Sequence, residues 1–193
     1  MSNMSRNVLD IWLKFGTAFI VYRIGMYYGT NQTGDLFDAT FMQILLFTLI
    51  GFSLYYVLVK PLITDQIEHP LMNRLTDDFL FFGGGLLVAQ VLSAYVNEQD
   101  VTNVNMQWLW YLFVSLAVYQ IAIYPFVPQT YGVNQPAFND VVKFASILIV
   151  YQLVYTMDIA TLADTTFLMA LGLTALGFLA YHSGSIPQPC SRA

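Results

Sequence analysis

Apolar residues fill six runs along the chain: Val8–Tyr28, Ala39–Val59, Phe79–Val96, Met106–Tyr124, Val141–Met157 and Thr165–His182. Polar residues collect between them. A hydrocarbon core needs about 20 helical residues to cross. Backbone polar groups in lipid are satisfied only within helices or closed barrels. These runs are too long and too continuously apolar for barrel strands. The pattern therefore predicts an all-α, polytopic membrane protein with six transmembrane helices, the fifth the weakest, in a single membrane domain spanning 1–193.

The runs also repeat in pairs. Aligned on Phe15, Phe82 and Phe144, the next residues are Gly16, Gly83 and Ala145. Six residues past the anchor stand Val21, Val88 and Val150, and eight past it Arg23, Gln90 and Gln152. In the second run of each pair, Tyr55, Tyr119 and Tyr181 each precede a proline by six residues, at Pro61, Pro125 and Pro187. Gly51, Ser115 and Gly177 lie four residues before those tyrosines. Fixed spacing of this kind marks internal repeats, with bounds 7–61, 75–125 and 138–187. Each unit holds two spans, so all three enter the membrane from one side, which predicts parallel repeats about a pseudo-three-fold axis along the membrane normal.

Composition agrees with lipid burial. Of 193 residues, 57% are hydrophobic and only 10% charged, against about 25% charged in a soluble domain. The net charge of −5 disfavours a nucleic-acid partner, because phosphate contacts need a basic patch. The one cysteine, Cys190, excludes an intrachain disulfide and a thiolate metal cluster. The first run carries Lys14 and Arg23 and reads as a retained span rather than a cleaved signal. Arg6, Lys14, Lys60, Arg74, Lys143 and Arg192 fall on the side of the termini and linkers, with Arg23 alone near the hairpin tips. That asymmetry assigns the terminal side to the cytoplasm or its equivalent. The tips carry Asp35, Asp38, Glu98, Asp100, Asp158 and Asp164.

Candidate residues fall into three sets. Asp10, Asp77 and Asn139, each five before its anchor phenylalanine, suit helix N-caps, where a side-chain oxygen accepts from free N–H groups. The adjacent Asp77 and Asp78 diverge by about 100° on a helix and make no acid–base pair. Arg23, Gln90 and Gln152 define one intramembrane polar layer, a place to bind an anion or a polar head group. The competing reading has Arg23 snorkelling to the tip interface while the glutamines bond neighbouring helices. Gly16, Gly51, Gly83 and Gly177 offer small surfaces for close helix packing; Gly83-Gly84-Gly85 lacks the strand and lysine of a phosphate loop. His69 and His182 have no companion ligands, so neither metal nor cofactor is expected. No serine or cysteine sits in a nucleophile motif, which predicts a non-enzyme. Asn31-Gln32-Thr33 matches a glycosylation sequon, and Trp12, Trp108 and Trp110 suit an aromatic belt near span ends.

Three two-helix repeats resemble mitochondrial carriers in architecture, but the carriers' proline, acid and basic signature is missing and the chain is much shorter. The chain also resembles small multi-span membrane proteins of large icosahedral DNA viruses. That resemblance lies in D-x-x-x-K-F-G-x-x-x-x-V-x-R at Asp10–Arg23 and L-x-G-F-x-x-Y at Leu49–Tyr55. The third copy departs as Lys143-Phe144-Ala145 and Gly177-Phe178-x-x-Tyr181; the second has Phe81 for lysine and Ser115-Leu116 for Gly-Phe. The resemblance implies a structural, minor-capsid-type component of an internal virion membrane. Its partners would be membrane lipid and capsid proteins, and it brings no catalytic residues. Gln66-Ile67-Glu68-His69 and the 129–136 stretch offer polar docking surface on the terminal side. Two other readings compete: a small transporter or channel built on the Arg23 layer, and an accessory subunit of a respiratory or photosynthetic membrane complex.

Overall fold

A computed structural model describes residues 3–30, 32–63, 69–100, 106–127 and 135–184. Six long helices run through them: α1 (Asn3–Gly29), α2 (Ala39–Leu62), α3 (Pro70–Val96), α4 (Gln107–Phe126), α5 (Gln135–Thr156) and α6 (Thr165–Gly184). No strand occurs among the described residues. Pro187, Cys190, Arg192, Asn31 and the expected docking stretches 66–68 and 129–134 lie outside them.

Helices α2 to α6 are each long and apolar enough to cross a membrane. Helix α1, at 27 residues, is long enough but falls short in hydropathy, because Asp10, Lys14 and Arg23 interrupt it. The weakest span is therefore the first and not the fifth, which matches α4 in hydropathy at 1.5.

The helices close into a ring in chain order, with α6 returning to α1. Junctions α6–α1 and α2–α3 are the broadest, and both rest on glycine. A Cβ on Gly51 would collide with the carbonyl oxygen of Gly85, and one on Gly177 would stand 2.6 Å from Ala18 Cα. Small residues let helix backbones approach this closely. Gly83 packs against Leu109, where a Cβ would meet Cδ2 at 3.1 Å. Gly16 makes no such contact, since a Cβ there meets nothing within 4 Å; the packing role falls instead to Gly85, two positions past Gly83, where an added Cβ would strike the Phe52 ring.

Down the centre run phenylalanines. Phe15, Phe82 and Phe144, the three alignment anchors, meet one another with ring centroids 6.0, 5.8 and 5.4 Å apart. Phe52 and Phe81 stack at 4.5 Å beside them, and Phe144 stacks on Phe178 at 4.2 Å. Edge-to-face and offset geometries of this kind add to the packing energy of the rings. Two π-helical turns, Tyr55–Val59 and Tyr119–Ile123, lie just ahead of Pro61 and Pro125. A proline removes one backbone donor and crowds the preceding turn, and a wider turn accommodates both effects. Pro61 consequently sits within the last turn of α2 instead of ending it.

Candidate functional site

In the terminal half, Asp10, Lys14, Asp77, Asp78, Asp140 and Lys143 line one central cavity. Asp10, Asp77 and Asn139 do not cap helices: each lies inside α1, α3 or α5, past the helix start. The caps are elsewhere. Asp38 Oδ1 accepts from Phe41 N at 2.7 Å, and Asp164 Oδ1 accepts from Thr166 N at 2.7 Å and Phe167 N at 3.1 Å. Those tip aspartates satisfy N–H groups of the first turn that have no partner within the helix.

The aspartates within the helices are bonded across to neighbouring helices. Tyr181 of α6 donates to Asp10 of α1, and Tyr55 of α2 donates to Asp77 of α3. Lys60 stands 3.7 Å from Asp77. Asp78, one residue on and facing another way, accepts from Gln120 of α4 at 2.6 Å and from Lys143 of α5 at 2.5 Å. Asp140 of α5 pairs with Lys14 of α1 at 2.6 Å and with His182 of α6 at 2.7 Å. Every helix contributes, and four carboxylates meet three lysines and one histidine. Lys143 also lies 5.5 Å from the Phe82 ring centroid, and Lys14 lies 6.0 Å from those of Phe15 and Phe178. A cavity of 180 Å³ remains at the centre of this network, lined by Asp10, Lys14, Asp78, Phe81, Asp140 and Lys143 among others.

Ion pairs in low dielectric persist only when both partners are well bonded. Asp78 and Asp140, with side chains 15% and 16% exposed, each have two partners, so the arrangement is suited to locking helices together. Among the described residues, no group of three or more His, Cys, Asp or Glu side chains is placed to hold a metal.

Among the described residues no hydrogen bond joins Arg23, Gln90 and Gln152 to one another. Arg23 turns to its own hairpin tip, donating from Nε to Leu36 O at 2.8 Å and pairing with Asp38 at 2.6 Å. Gln90 Oε1 accepts from Trp108 Nε1 of the adjoining α4 at 3.1 Å. The Gln152 backbone carbonyl accepts from Thr156 Oγ1. Sequence reasoning passed over Asp78, Asp140, Lys14, Lys143, Gln120 and His182 as site residues. The repeat register held the signal. Four before each anchor stand Ile11, Asp78 and Asp140; one before it stand Lys14, Phe81 and Lys143; one after each repeat tyrosine stand Tyr56, Gln120 and His182.

No family model, curated protein or solved structure matches this chain.

Proposed function

We propose that this chain is a non-enzymatic structural protein of a membrane-containing assembly, built from three copies of one helical hairpin around a pseudo-three-fold axis. The observation that carries the reading is the filled axis: three mutually touching phenylalanines occupy the place where a conduit would run. The charged groups beside them bond to one another between helices, as structural ties do, and Arg23 is engaged at its tip rather than in a central layer.

The repeat is supported by equivalent bonds. Tyr55 to Asp77 and Tyr181 to Asp10 join the same two repeat positions across successive units, as do the Gly51–Gly85 and Gly177–Ala18 contacts. Lys14 to Asp140 and Lys143 to Asp78 likewise join one pair of positions. At the remaining place the pair is Phe81 and Ile11, an apolar counterpart in the same central cavity. The body lies in lipid, the basic terminal side faces the cytoplasm or its equivalent, and the ends and acidic tips dock protein partners. An internal virion membrane joined to a capsid is the assembly that the sequence resemblance implies.

Reconstitution into liposomes tests the reading. Potassium and chloride flux should equal that of protein-free vesicles, with Arg23→Ala making no difference, while altered linkers block incorporation into the native particle. Flux that Arg23→Ala abolishes, with assembly intact, would establish the transporter reading instead.

A further inference from the structure

The tip half of the bundle contains a cavity that the structural role does not use. It measures 560 Å³, is partly open, and is lined by α2, α3, α4 and α5 through Thr48, Ala89, Gln90, Trp108, Ile147 and Tyr151 among others. Protein interiors pack densely and seldom leave voids much larger than water. An apolar cavity of about 150 Å³ already takes up benzene, and ordinary ligand sites run from about 300 to 1,000 Å³. The opening has a sequence cause. Three residues past the anchors, Ala18 and Gly85 lie against Gly177 and Gly51 with nearly bare backbones. At the α4–α5 junction the same positions hold Ile147 and Ser115, whose side chains keep the two helices apart.

Its chemistry is specific. No charged side chain lines it. Most of the wall is hydrocarbon, yet its lining includes Gln90, whose Oε1 accepts from Trp108 while Nε2 has no partner among the described residues, and Tyr151, whose hydroxyl has none there either. Donors left unpaired inside a bilayer are costly. Their match is an acceptor oxygen on an uncharged molecule with a long apolar body.

We propose that this cavity is a binding site for an uncharged bilayer lipid, an acylglycerol whose ester carbonyl accepts from Gln90 Nε2 and the Tyr151 hydroxyl while its chain fills the space between α3 and α5. The site stands apart from the assembly role and does not depend on it.

The test uses the full chain in non-ionic detergent with Trp12→Phe and Trp110→Phe, so that Trp108, in the cavity wall, is the sole tryptophan. The probe is a monoacylglycerol brominated in the upper half of its chain, since bromine quenches a tryptophan that it touches. Quenching should saturate at one probe per chain. The ether analogue, which lacks the carbonyl, should bind more weakly by about five-fold or more, the equivalent of at least one neutral hydrogen bond; Gln90→Leu should shrink that difference, and Gln90→Leu with Tyr151→Phe should erase it. Ala89→Phe, which fills the cavity, should abolish the saturable phase. Should that variant fail to fold, Leu86→Phe fills the same space from another position. Quenching that rises linearly with probe and is unchanged by filling, or equal binding of ester and ether, would overturn the proposal.

Discussion

The two halves of the bundle spend their polar residues differently. In the terminal half, Asp10, Asp77, Asp78 and Asp140 each bond to a different helix, and the bonds run from α6 to α1, α2 to α3, α4 to α3, α5 to α3, and α1 and α6 to α5. In the tip half, polar groups serve their own hairpin. Arg23 holds Leu36 and Asp38, Gln90 holds Trp108, and Thr156 bonds Thr161 at 2.9 Å. Bonds from one hairpin to another fix how the hairpins sit together, whereas bonds within a hairpin hold only its own two helices and its turn. The tip half accordingly depends on glycine contacts at two junctions and opens a cavity near the third. Charge sets the arrangement at one end, and side-chain size sets it at the other.

The contrast breaks first at Asp78. Replacing it with leucine strands Lys143 and Gln120 in a half-closed, low-dielectric setting. Removing one partner of a buried pair destabilises by about 3 kcal/mol or more, which reversible unfolding in mixed micelles would register. Adding Lys143→Leu should restore most of that loss, because an apolar pair of similar size is a workable replacement. A loss as large in the double variant as in the single one would mean that the ion pair is not what joins α3 to α5.

A weaker perturbation tests the tip. Arg23→Ala removes the pair with Asp38, whose side chain is 45% exposed, so the expected loss is about 1 kcal/mol or less. Asp38 keeps its cap on α2 through Phe41 N. Limited proteolysis should therefore show faster cleavage around 30–38 and no change near Asp78 or Asp140. Loosening of the terminal network by Arg23→Ala would contradict the separation of the halves.

Much of the fold was legible in the chain. Apolar runs gave six helices because lipid permits few other backbones. Gly51 and Gly177 were readable as contact residues because only glycine lets two helix backbones touch. The site was less legible, for two reasons. Asp10 and Asp77 resemble caps in sequence, since a cap and an acceptor bonded to a neighbouring helix use the same residue types; the helix starts decide between them, and α1 and α3 begin well before those aspartates. Arg23, Gln90 and Gln152 share a register position, but an arginine side chain is long enough to reach its own tip carbonyls. Equivalent position therefore did not bring Arg23 into a layer with the glutamines. Gly16 failed for a similar reason: its alignment with Gly83 carries no information about which neighbour it faces.

The smallest net effect is expected where the terminal network is already apolar. Register places Ile11 and Phe81 where the other two units pair Asp140 with Lys14 and Asp78 with Lys143. If the three places are equivalent, an ion pair can be built at the third. Ile11→Asp alone buries a carboxylate in a wall of Phe15, Phe81 and Phe82, and Phe81→Lys alone removes the ring stacked on Phe52. Each single change should cost about 3 kcal/mol. Together they should supply each other's partner and return stability to within about 1 kcal/mol of the parent, since a well-bonded pair and an apolar pair often break even. The coupling energy of the double-mutant cycle is the decisive quantity. A value near zero would show that Ile11 and Phe81 do not stand in the geometry of the two lysine–aspartate pairs, and the hairpins would then share a sequence pattern without sharing an axis.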